Sequence, residues 1–167
     1  MADADFPACL AFVLQMEGGN KFTNDPKDPG GPTRYGVTQN TYDAYRQRHD
    51  LPKRSVYLIG PAEVSDIYRN EYWLPIGCDK LPPGVDLLAM DIGVNSGVGR
   101  IKPWLLDTIQ MLPGDRIRAL DAKRRGFWRH LAIFGRFGLG WMRREDACLA
   151  LALRMDKPKV VSTITGK

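Results

Sequence analysis

Phe6, Leu10, Val13 and Leu14 recur at i, i+4, i+7 and i+8, the spacing of one apolar stripe, and predict a first helix over about 6–17. Pro7 suits its opening turn and Gly18 its end. From 20 to 37 the periodicity vanishes into "NDP", "KDPGGP" and "RYGV", turn-forming residues that predict an irregular loop or small β lobe. Thr38 is placed to cap a helix running through Tyr42 and Tyr45 and stopping before Pro52. Pro61 opens another helix, with Val64, Ile67, Tyr68 and Tyr72 on one face and Pro75 beyond its end. Val85, Leu88, Ala89 and Ile92 repeat the pattern before the glycine-punctuated "GVNSGVG", and further helices are expected around 101–111, 115–132 and 141–155. Residues 156–167 show no period and read as a loose tail. The whole pattern predicts a mainly α chain with one small irregular or β lobe near residues 20–38.

One carboxylate interrupts the first stripe. At about 100° per residue, Glu17 lies ~20° round the axis from Phe6, on the core side of the helix. Burial in apolar surroundings and the negative end of the helix dipole would both raise its pKa and keep its proton on. A carboxyl group still protonated near neutral pH can act as a general acid, as glycosidic cleavage requires. The plainer reading is a helix-end residue released to solvent by Gly18. The loop that follows offers Asp25 and Asp28 as second carboxylates and Thr33 as a hydroxyl, with Gly30 and Gly31 allowing the backbone to fold back; each of these also occurs in ordinary turns. Asp91 and Asn95, one helical turn apart, either line a cleft or cap the turn at Ser96.

Length and composition narrow the field. The 167 residues, 44% hydrophobic and 26% charged, fit a single globular domain. The apolar run at 8–14 follows Asp3 and Asp5, lacks the basic flank of a signal peptide and is too short to span a bilayer. Synthesis and folding in the cytosol are therefore expected, with no membrane span. Cys9, Cys78 and Cys148 are few, far apart and set among apolar residues, so buried thiols are expected rather than disulfides, and neither they nor His49 and His130 form a metal-binding pattern. Residues 116–159 hold twelve Lys or Arg against four Asp or Glu, leaving the remainder of a +5 chain at −3. Such a surface favours polyanions, from nucleic acid to anionic lipid to the carboxylate-rich cell wall. No nucleic-acid recognition motif accompanies it, so specific nucleic-acid binding is not expected.

"EGG…NDPKDPGGPTRYGVT" (Glu17 to Thr38) resembles the signature of glycoside hydrolase family 108, lysozyme-like N-acetylmuramidases found among phage endolysins and bacterial proteins once described as secretion activators. The resemblance continues through "IYRNEYW" (67–73), "MDIGVNSG" (90–97) and "GWMRRE" (140–145). It implies a lysozyme-like helical fold, Glu17 as the catalytic acid, and Asp28 and Thr33 as second carboxylate and water-orienting hydroxyl. Asp25, Tyr35, Asp91 and Asn95 are then candidates for substrate contact. Asn20 and Lys21 stand where the family usually has an aromatic residue. They read as an insertion ahead of Phe22, which leaves Asp25 in competition with Asp28.

The resemblance divides the chain into a catalytic lobe at 6–95 and a helical C-terminal lobe at 96–155 similar to a peptidoglycan-binding region. There "KRRGFWRH" (123–130) either holds sugar rings and peptide carboxylates or packs Phe127 and Leu131 inward with its arginines solvated. Trp73, Trp104 and Trp141 carry the same two readings. The implied activity is hydrolysis of the β-1,4 bond between N-acetylmuramic acid and N-acetylglucosamine without cofactor or metal, with inversion favoured because Thr33 gives water a partner. The implied partners are peptidoglycan glycan strands and a holin-like pore or particle that brings a monomeric enzyme to the wall. A non-catalytic wall-binding phage-particle or secretion accessory protein is the alternative.

Overall fold

The computed structural model describes residues 2–24 and 30–157. Asp25, Asp28 and most of the expected tail lie outside them. A 3-10 turn at Ala2–Asp5 leads into α1 (Phe6–Met16), which buries Phe6, Leu10 and Val13 of the expected stripe, leaves Leu14 half-buried, and widens the buried face with Cys9 and Phe12. The helix stops because Gly18 and Gly19 both adopt positive φ, and Gly19 N–H bonds back to the Leu14 carbonyl. Glu17 is the capping residue.

Three short strands, β1 (Phe22–Thr23), β2 (Thr33–Arg34) and β3 (Val37–Thr38), form an antiparallel sheet in the order β1-β2-β3, pairing Thr23 with Thr33 and Thr33 with Thr38. β2 and β3 are joined by Tyr35 and Gly36 alone, both at positive φ, the signature of the two-residue hairpin turn whose twist matches its strands. The Thr38 hydroxyl then accepts from Thr41 N–H and starts α2 (Gln39–Arg48), as expected of that cap.

α3 (Pro61–Tyr68) does not stop before Pro75. A π-helical turn at Arg69–Trp73 carries the helical backbone on into α4 (Leu74–Ile76), which ends at left-handed Gly77. Pro75 falls in the opening turn of α4, where no N–H is required of it, so the wider preceding turn accommodates a residue expected to lie outside the helix.

α5 (Val85–Ser96) is the centre of the fold. Every residue from Val85 to Gly93 is buried, and the helix packs against α1, α6 (Val98–Asp107), α7 (Pro113–Arg129) and α8 (Phe134–Met155). α8 begins seven residues before its expected start. Gly135, Gly138 and Gly140 weaken the local helical signal, but Phe134 and Phe137 pack on Trp141, which in turn meets Trp128 of α7. The three cysteines are buried thiols, and burial pushes all of them above the ordinary thiol range. The architecture is the expected mainly α, lysozyme-like one with a small β lobe. No helix among the described residues is long and apolar enough to cross a membrane.

Candidate active site

Glu17 does not occupy the apolar seat expected of it. Its side chain is 27% exposed, and Oε1 accepts a hydrogen bond from Arg144 Nη1 at 2.7 Å. The glycine pair ends α1 early enough to free the carboxylate from the core stripe, and α8 runs past that end. The Arg144 guanidinium is itself gripped from behind, with Nη2 donating to Asp91 Oδ1 at 2.7 Å and Nε facing the same carboxylate at 3.2 and 3.4 Å. Asp91 is wholly buried and takes a second charge from Arg124, whose Nη1 lies 2.6 Å from Oδ2. The order from surface to core is therefore Glu17, Arg144, Asp91, Arg124.

Charge buried at this depth is tolerable only when paired. Arg124 has no exposed side-chain surface; besides Asp91 it lies 2.9 Å from Glu145 Oε2 and stacks over Trp128 at 4.3 Å. Burial works against ionisation of Asp91, and Arg124 and then Arg144 outweigh it, holding this carboxyl below the usual range. Burial likewise opposes the charge on Arg144, but Asp91 and Glu17 reverse the outcome and hold its pKa above normal. Glu145 goes the other way: burial dominates over Arg124 and pushes it up to about 8.

The β lobe closes against the acid. A Cβ at Gly36 would stand 3.4 Å from both Cβ and Cγ of Glu17, and 2.6 Å from the Tyr68 hydroxyl. That hydroxyl donates to the Tyr35 carbonyl at 2.9 Å and ties the hairpin turn to α3. Burial, followed by the charge of Glu17, raises the Tyr68 pKa. A groove of about 450 Å³ opens beside the acid, lined by Met16, Asn95, Gly140, Trp141, Arg143 and Arg144. Glu17 follows one lining residue in the chain and is ion-paired to another.

The other candidates are distributed as follows. Thr33 lies on β2 with its hydroxyl donating to the Gly31 carbonyl at 3.0 Å. Tyr35 lines a separate apolar groove with Phe6, Pro7, Leu10, Leu14 and Val64. Asp91 stands under the groove and Asn95, one turn later, on its wall. The stretch 123–130 follows neither expectation: Arg124 and Trp128 are buried, while Phe127 is half-buried between Arg100, at 3.7 Å, and Trp104. Arg124 is not solvated because Asp91 compensates its charge, with Glu145 and the Trp128 ring filling the rest of its surroundings. Arg144 and Arg124 were not singled out by local reading; Arg144 stands within "GWMRRE", and only its carboxylate partners distinguish it from its neighbours.

The model of the glycosyl hydrolase 108 family matches residues 10–97, more than half of the chain. The chain belongs to this family. Family 108 membership makes it a glycoside hydrolase, and the matched segment contains Glu17, Thr33, Asp91 and Asn95 but not Arg124 or Arg144. Among solved structures, that of Brucella abortus SagA is similar at 28% identity with a TM-score of 0.78, covering 95% of this chain and 99% of that one. The similarity thus extends well beyond the family 108 match. No curated protein matches the chain.

Proposed function

We propose that this family 108 member is an N-acetylmuramidase, cleaving the β-1,4 bond between N-acetylmuramic acid and N-acetylglucosamine in peptidoglycan. The observation that supports this reading best is the Glu17 carboxylate, held at a helix end beside an aromatic and cationic groove by a guanidinium that is itself anchored in the core. With Oε1 engaged by Arg144, Oε2 is the oxygen left to serve the glycosidic oxygen. A positioned acid of this kind contributes about two to four orders of magnitude. Asp28, together with Thr33, is assigned the second role, activating water on the opposite face of the sugar with inversion at the anomeric carbon. Asn95, Trp141 and Arg143 face the glycan strand and its acidic substituents.

Mass spectrometry of digested peptidoglycan tests the assignment. New reducing N-acetylmuramic acid ends are expected; anhydro ends would indicate a lytic transglycosylase, cut peptides a peptidase, and binding to sacculi without release of fragments a wall-binding protein.

A further inference from the structure

The opening of α8 faces water with side chains that do not suit water. Ile133 at the N-cap is 53% exposed, Phe137 43% and Leu139 81%. Advancing 100° per residue, Leu139, Arg143, Arg136, Ile133 and Phe137 share one arc of about 160°, opposite the arc holding Phe134, Gly138, Trp141 and Glu145 that packs inward. Exposed large apolar groups gathered on one face mark an interaction site.

The charge around this face has one sign. Residues 122–144 contain seven Lys or Arg and no Asp or Glu. Lys123, Arg124, Arg125 and Arg144 are spent on Asp107, Asp91, Asp121, Asp146 and Glu17. Arg129, Arg136 and Arg143 have no carboxylate partner among the described residues, and all three are exposed.

We propose that this face of α8 docks on the surface of an anionic phospholipid bilayer. Ile133, Phe137 and Leu139 enter the boundary between headgroups and acyl chains, and Arg129 and Arg136 reach lipid phosphates with their stems lying along the apolar layer, while Arg143 stands between this face and the groove. A second copy of the chain is a poor occupant, since it would set arginine against arginine. The chain's own residues 158–167 carry Lys159 and Lys167 and no acid, and meet the same objection. Nucleic acid would satisfy the arginines and leave three apolar side chains in water. A bilayer satisfies both and asks for no matching groove from a convex helix face. This surface borders the acid-bearing groove at Arg143 and goes beyond the muramidase reading.

The test uses the whole protein, sedimented with vesicles of phosphatidylcholine alone or mixed with phosphatidylglycerol. Binding to the anionic vesicles is expected, with little to the neutral ones. Leu139→Gln and Ile133→Gln should each lower partition about tenfold, as loss of an interfacial apolar side chain requires. Arg136→Gln should lower it about fivefold, and less at high salt. Melting curves and turnover on purified, membrane-free walls should match wild type for Leu139→Gln. Absence of binding to anionic vesicles would overturn the proposal. So would wild-type partition by both apolar variants, which would reduce the face to a general polyanion surface that a DNA duplex retains equally well.

Discussion

Arg144 holds Glu17 and Asp91 on two tips of one guanidinium, at 2.7 Å each. A carboxylate at the end of a helix is thereby referenced to the most buried helix of the molecule, and its position is fixed by the core as well as by the end of α1. Lysine has the charge but not the planar fork that reaches both partners.

Glu17→Gln is expected to lower turnover on purified walls by about two to four orders of magnitude, with the melting temperature little changed. Arg144→Lys should lower it by about ten- to a hundredfold through misplacement of the acid. In the double variant the two losses should not add, because the lysine has no acid left to misplace. Full turnover in Arg144→Lys would show that the fork does not position the acid.

Asp91→Asn removes a buried charge that compensates two arginines. Arg124, which has no exposed surface, would keep only Glu145 and the Trp128 face. The expected cost is about 3–5 kcal/mol, the range for breaking a buried pair. For a chain of this size that is a fall of about 6–20 °C in Tm. A change of a degree or two would mean that water reaches the pair.

Asp86 is buried and accepts from the N–H groups of Gly84 and Leu87, at 2.8 and 2.7 Å, through Oδ1; Oδ2 has no partner among the described residues. Burial outweighs those bonds and raises its pKa to about 7. Because the folded value lies above the unfolded one, the native state binds the extra proton between about pH 4 and 7, and stability falls as pH rises through that window. Asp86→Asn keeps the acceptor and loses the titration. It should melt several degrees above wild type at pH 8 and show no advantage at pH 4; an advantage independent of pH would assign the effect to packing.

Gly36→Ala places a methyl 2.6 Å from the Tyr68 hydroxyl, on a backbone with φ of 72°. The strain should cost about 1–3 kcal/mol and displace the hairpin from Glu17, lowering turnover as well as Tm. Tyr68→Phe alone forfeits one hydrogen bond, worth about 1 kcal/mol. In the Tyr68→Phe background the methyl gains room, so Gly36→Ala should be milder there. Equal damage in both backgrounds would place the whole cost in the backbone dihedral.

The assignment of the second carboxylate is tested by comparing Asp28→Asn with Asp25→Asn. Asp28→Asn should lower wall turnover by about a hundredfold or more and Asp25→Asn by less than tenfold; the reverse order would move the role to Asp25.

The elements were legible where a local rule governs them. The Phe6–Leu14 stripe, the cap at Thr38, Pro61 at a helix start and the "RYGV" turn each depend on neighbours within four residues, and each is found where the pattern puts it. Pro75 was misleading because the π-turn before it changes the hydrogen-bond register, which no propensity signals. The glycines of α8 concealed a helix that aromatic packing sustains. In the site, Glu17 stood out as a carboxylate on an apolar face, but its surroundings could not be read. Its partner lies 127 residues away, and an ion pair across that distance leaves no periodic trace.

Arg144 also imposes an order of events on synthesis. The N-terminal part of the chain emerges from the ribosome first, so Glu17 is in solution long before the helix that carries its clasp has been translated. A nascent or prematurely terminated chain that ends between residues 98 and 143 possesses the acid, the hairpin and the whole family-matched segment but lacks the residue that aligns them. Such fragments should be inert toward the wall, and lytic capacity should appear only once Arg144 has been translated.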